Sequence, residues 1–275
     1  MTTFKRVLSF VLAAAVTANI TACGTAAKPA TENPASDHSN ASVMTMGDAK
    51  IANHYFERVK KTDGTFEMIT SEKYGEGYKL KEFTNKEIPL TPAAEDVVLG
   101  ETKIIFDQIK GASGSGKVLE GEGVHDTFVL VENTGKVDAY VRTYVALEYS
   151  ADESDIIGFT VSDTWEWVDI GEVEMNDSNF YVFELIYRGD SNRHADSILP
   201  AGEYTFDNLG QFYIAKDATK EECAALDGNS NGIYDILILS QAVPADKNTD
   251  AAAALEAGFG KITNENAAEL FIGKK

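Results

Sequence analysis

An all-β chain, an antiparallel jelly-roll-like β-sandwich with short C-terminal helices, is predicted by three observations. Runs rich in Val, Ile, Phe and Tyr recur from residue 51 to residue 240, Gly, Asn, Asp and Ser separate them, and helical periodicity hardly occurs before residue 245. Many short strands with turn chemistry between them bury their faces by packing sheet on sheet.

The first strands are expected at 51–59, 65–69, 78–83 and 102–109, with Lys61-Thr62-Asp63-Gly64 as a hairpin turn between the first two. The segment 127–149 carries the clearest signal. Tyr140, Arg142 and Tyr144 alternate with Val141, Val145 and Leu147, and Asn133-Thr134-Gly135-Lys136 supplies turn residues, with Gly135 able to take positive φ. Residues 128–131 and 139–147 therefore read as a β-hairpin. Further strands are expected at 156–161, 165–170, 180–187, 204–206, 211–215 and 233–240. Asp250, the Ala-rich run 251–259 and Gly260 give a helix with its N-cap and its closing glycine. Residues 264–271 read as another short helix, docking Leu270 and Phe271 on the sandwich. There is no internal repeat, and 47–275 is expected to be a single β-sandwich domain.

With 275 residues, 44% hydrophobic and 10% aromatic, the chain is large and apolar enough to bury a core. Its 24 basic against 44 acidic residues give a net charge of −20. Such a surface repels nucleic acid and anionic lipid headgroups, so neither is expected as a partner. It suits an exported, soluble protein or one that binds cations.

Residues 1–22 begin with Lys5 and Arg6 and continue into an apolar run, 7–16, too short to span a bilayer, so they read as an export signal. Ile20-Thr21-Ala22-Cys23 resembles a bacterial lipobox, which implies that Cys23 becomes the lipidated first residue; ordinary cleavage nearby is the alternative. Residues 23–46 then carry the lipid and a flexible linker of Ala, Thr, Pro, Ser and Asn. The lipid would be the sole membrane contact. With Cys23 lipidated, Cys223 has no partner for an intrachain disulfide, and with no His nearby in sequence it reads as a buried small side chain.

The run Val-Glu-Asn-Thr-Gly-Lys-Val-Asp-Ala-Tyr-Val-Arg-Thr, 131–143, resembles the signature of surface proteins related to TasA and camelysin. Ile-Leu-Ile-Leu-Ser-Gln-Ala-Val (236–243), Leu-Glu-Ala-Gly-Phe-Gly (255–260), Thr-Trp-Glu-Trp (164–167) and Ile-Leu-Pro-Ala-Gly-Glu (198–203) are similar to the rest of that domain. Together these motifs span roughly 48–271. The resemblance implies a non-enzymatic role at the cell surface or in a biofilm matrix, where relatives build extracellular fibres. Relatives are typically released by a SipW-type signal peptidase, so the apparent lipobox is a departure. It implies a tethered copy that anchors or nucleates fibres, assembling with itself or with related matrix subunits.

Each candidate chemistry has a plainer reading beside it. Residues 111–118 approach a phosphate-binding loop, but Val118 stands where magnesium needs Ser or Thr and no helix can follow through Gly121 and Gly123, so they read as a flexible loop and no nucleotide is expected. Asp227, Asn229, Asn231 and Asp235, with Gly232 at the sixth position, match the start of a calcium loop; Ile238 replaces the closing Glu. Weak calcium binding and a tight Asn/Gly turn both fit. Trp165 and Trp167 lie two apart on a strand and share a face, fitting either core packing or a binding platform for a glycan or protein.

The histidines His38, His54, His125 and His194 are scattered, with no His-Glu-x-x-His pair to support the metallopeptidase label of camelysin relatives. His125-Asp126 and the segment 190–194 are the one pairing that folding could bring together. There is no Gly-x-Ser-x-Gly elbow. No enzyme and no cofactor beyond weak calcium is expected. A sandwich with an open edge accepts a strand from a neighbour, and residues 44–59 are the expected donor. A surface lipoprotein that binds through the tryptophans is the competing expectation.

Overall fold

Ten consecutive residues of one strand, Ala139–Glu148, are buried, because both of its faces are covered. The computed structural model describes residues 41–272, apart from 85, 151–153, 176–177, 191–192, 195 and 247, together with the short segments 5–6 and 30–32. Side chains are described from residue 43, with 154 excepted. The proposed lipidation at Cys23 lies outside the described residues.

In chain order the strands are β1 Lys5–Arg6, β2 Ala30–Glu32, β3 Ala41–Thr45, β4 Ile51–Arg58, β5 Met68–Ser71, β6 Gly75–Tyr78, β7 Leu80–Phe83, β8 Val98–Ile105 and β9 Ser115–Glu120. They continue as β10 His125–Asp126, β11 Phe128–Asn133, β12 Ala139–Glu148, β13 Ile157–Phe159, β14 Trp165–Met175, β15 Ser178–Tyr187, β16 Gln211–Ile214 and β17 Ile236–Pro244. The helices are α1 Lys220–Ala225, α2 Ala251–Phe259 and α3 Ala267–Ile272. With 46% strand against 12% helix the class is all-β and sandwich-like, as expected.

The main sheet runs β14-β15-β12-β17-β3-β2. Its inner face, carrying Val141, Val145, Leu147, Phe183, Leu185 and Ile238, packs on β4, β11, β13 and β16 to form the largest core. Tyr144, Ala146, Val182 and Leu239 point the other way, where Phe271 of α3 covers them; Leu255 of α2 covers Tyr140 and Val243. A further core, with Phe56, Tyr78, Ile104, Val118 and Phe128, joins the β11-β4-β7 sheet to the β5-β6-β8-β9 sheet. The period-two pattern of β12 is thus that of a central strand buried on both faces.

The structure corrects several expectations. The segment 127–149 is not a hairpin: β11 pairs with β4, whereas β12 pairs with β15 and β17. Residues 134–138 carry the chain between two sheets, and Asn133 fixes this crossing. Its side-chain amide donates to the carbonyls of Val137 and Leu199, each at 2.9 Å, and its Oδ1 accepts from Gly135 N at 3.0 Å. Gly135 does not adopt positive φ. A Cβ there would lie 3.1 Å from Lys50 N, so close approach is what favours glycine.

Residues 204–206 make an isolated bridge rather than a strand, and the expected 78–83 divides into β6 and β7. Residues 115–120, taken with the flexible loop, form β9. Helix α1 was not expected. It is six residues long, too short for periodicity, and is held by a capping box between Thr219 and Glu222. The turn at Gly64 and the helix capped by Asp250 and closed at Gly260 are where the sequence put them.

Candidate functional site: a parallel strand, an aromatic cleft and an Asx loop

The motifs that carry the family resemblance converge on Arg142. Its Nε donates to Gln241 Oε1 at 2.7 Å, Nη1 to Glu184 Oε1 at 2.9 Å, and Nη2 to the Gly260 carbonyl that closes α2. Tyr140 donates its hydroxyl to the carbonyls of Asp246 and Thr249, at 2.7 and 2.9 Å, fixing the entry to α2. Leu199 exchanges both main-chain bonds with Ala139, at 2.8 and 3.0 Å. Residues far apart in sequence are therefore one packing unit, whose polar groups are spent on holding the sheet to its helices.

At the far side of the main sheet, β3 lies parallel to β17, with Thr45 opposite Ala242 and Val43 opposite Ser240, and β2 pairs antiparallel outside it. Val43 packs toward the inner core and Met44 is buried in the outer one, where Gln241 Nε2 reaches its sulfur at 3.4 Å. Parallel pairing marks β3 as a strand added from a distance, because antiparallel neighbours arise from short turns and parallel ones do not. Gly47, at φ 57°, turns the chain back toward β4. The expected donor, 44–59, is divided by this turn. Its larger part, β4, belongs to another sheet, where β11 and β7 bond it on both sides. Only the part before residue 47 pairs with the main sheet, on β17.

Trp165 and Trp167 begin β14 and share a face, as expected. Trp165 is buried, donates its indole N–H to the Phe206 carbonyl at 3.2 Å and lies 4.9 Å from the Tyr187 ring. Trp167 is half-buried; Phe183 stacks on it at 3.9 Å, and its N–H reaches Asp169 Oδ1 at 2.6 Å. Glu166 points outward to Arg188. Both tryptophans line a cleft of about 610 Å³ together with Phe206, Asp163, Asp190 and Asp207. Burial raises the Asp207 carboxyl to about 6, and the charge of Asp163 adds to the shift. Neither the cleft nor Asp207 was foreseen, because its walls come from β8, β9, β14 and the 204–211 segment, which only the fold assembles.

Residues 227–235 close on themselves through Asx turns. Asp227 accepts from Asn231 N and Gly232 N, each at 2.9 Å, Asn229 Oδ1 from Asn231 N at 3.0 Å, and Asn231 Oδ1 from Ile233 N at 2.9 Å. The side-chain amides of Asn229 and Asn231 both donate to Asp235 Oδ2, at 2.7 and 3.0 Å. A cation entering here must displace those amides. Glu148 sits beneath the loop, fully buried, accepting from Gly228 N at 2.9 Å and Asp235 N at 3.2 Å. Burial pushes its carboxyl up to about 7, the main-chain bond from Asp235 acting against the rise.

The described histidines each have separate surroundings. His54 bridges Glu82 and Glu132 at 2.7 and 2.9 Å, and His194 lies between the Tyr187 hydroxyl and Glu203, each at 2.7 Å or less. Asp126 pairs with Arg58 rather than with the 190–194 segment. Among the described residues no group of three or more His, Cys, Asp or Glu stands together as metal ligands. Cys223 is buried in the main core. Compared with models of protein families, with curated proteins and with solved structures, the chain finds no match.

Proposed function

We propose that the chain is an exported structural protein of the cell surface, tethered through Cys23, that builds or anchors extracellular fibres by associating with itself or with related subunits. The observation that carries this reading is β3. A strand laid parallel on β17, next to the last strand of the sheet, with Val43 and Met44 filling cores on opposite faces, makes contacts that a neighbour's identical segment makes equally well. Exchange between chains conserves every main-chain bond and buries the same side chains, so its cost is mainly translational entropy. A second support is the spending of the motif residues Asn133, Tyr140, Arg142 and Gln241 on packing bonds, which suits a scaffold better than a catalyst. The resemblance to the TasA and camelysin group points the same way.

The test is assembly of the exported chain, with Cys23 replaced by Ser to remove the lipid, followed by size exclusion and electron microscopy. That chain is expected to form ordered fibres, and removal of residues 24–46 to abolish them, because every copy then lacks the segment to exchange. A chain that stays monomeric at every concentration would refute the proposal.

A further inference from the structure

Independently of assembly, the cleft beside Trp167 has the chemistry of a ligand site. At about 610 Å³ it falls within the roughly 300–1,000 Å³ range of small-molecule sites. Its lining offers aromatic surface: Trp167 stays half-buried although Phe183 and Phe159 stack on it, and Phe206, with the Arg193 guanidinium over its ring, is half-buried nearby. The same lining offers acceptors. Asp163 is exposed, and Asp207 meets no side-chain donor among the described residues although it is half-buried. Thr160 and Ser162 add hydroxyls, which also bond Gln211 N and Thr164 Oγ1. At the rim Leu99 is 51% exposed.

The electrostatics narrow the class of ligand. Three carboxylates, Asp163, Asp190 and Asp207, face the cleft, and the one lysine lining it, Lys117, is paired with Glu101 at 3.0 Å. An anionic ligand would meet repulsion there, on a chain whose net charge is already −20. An apolar ligand would strand the carboxylates without donors, which is costly once water is excluded. A molecule that presents C–H surface on one face and hydroxyl donors on its edge suits both the aromatic and the acceptor groups of the lining. We infer that the cleft lined by Trp167, Asp163 and Asp207 binds an uncharged oligosaccharide, its ring stacked on the indole and its hydroxyls donated to the two carboxylates.

The test uses the full-length chain in a sugar-free detergent, titrated separately with maltotriose, cellotriose, tri-N-acetylchitotriose and trigalacturonic acid. Tryptophan emission and isothermal calorimetry are the readouts. At least one neutral trisaccharide should bind with a Kd of about 1 mM or tighter, and the acidic one at least about tenfold more weakly. Trp167→Ala should weaken binding about tenfold. Because that ring packs on Phe183, Asp163→Asn provides a second arm: the side chain is exposed, so stability should stay the same while affinity falls several-fold. No binding of any neutral trisaccharide at about 10 mM would overturn the inference, as would binding that the folded variants leave unchanged or a preference for the acidic sugar.

Discussion

Arg142 on β12 and Glu184 on β15 meet at 2.9 Å with side chains only 2% and 7% exposed, and the same guanidinium reaches the carbonyl that ends α2. A buried pair of this kind gains little over an apolar pair, but removing one partner leaves the other charged and unpaired. Glu184→Leu and Arg142→Met are each expected to cost about 3–5 kcal/mol in urea unfolding, and the two combined less than their sum. Strictly additive losses would show that the pair is not coupled.

Glu148 makes stability depend on pH in a definite direction. Its proton is held more tightly in the folded chain, where the carboxyl titrates near about 7, than in the unfolded chain, at 4.5. The stabilisation is complete below 4.5 and is lost as pH rises to about 7, amounting to about 3 kcal/mol over that window. Asp207 adds a shift of the same sign between 3.8 and about 6. Urea midpoints should fall from pH 5 to pH 8, and Glu148→Gln should flatten most of that slope.

Calcium should act weakly on residues 227–235, since Asp235 is already satisfied by two amides and Ile238 stands at the closing position. With a Kd of about 1 mM or weaker, 1 mM calcium adds at most about 0.4 kcal/mol, and the melting temperature should move by no more than about 2 °C. A large upward shift, removed by Asp227→Asn, would mean that the loop reorganises around the ion.

Asp250 caps α2 by accepting from Ala252 N at 3.0 Å and Ala253 N at 3.3 Å. Asp250→Ala is expected to cost about 1 kcal/mol, read by thermal unfolding, while Asp250→Asn should cost less.

Local rules made the fold class, the α2 boundaries and the alternation of β12 legible in the sequence, because period-two patterning and capping act within a few residues. The pairing of β11 was not legible in this way. Asn133-Thr134-Gly135 looks like a hairpin turn, yet the bonds that decide its path come from Leu199 and Lys50, distant in sequence. The tryptophans could be placed on one face from spacing alone. Their cleft could not, since Asp207 and Leu99 reach it only through the tertiary fold. The strand signal of 51–59 matches β4 to within a residue, but its place inside a sheet depends on its neighbours, β7 and β11.

The account turns on whether β3 is exchanged between chains, and a cross-strand disulfide measures that directly. Thr45 and Ala242 are register partners on β3 and β17, so Thr45→Cys with Ala242→Cys, on a chain whose Cys23 is Ser, reports which β17 each β3 occupies. Oxidation under assembly conditions is expected to give a ladder of covalently linked multimers on reducing-agent-free gels. Intrachain bonds alone, at every concentration and with the fold intact, would contradict strand exchange as the basis of assembly.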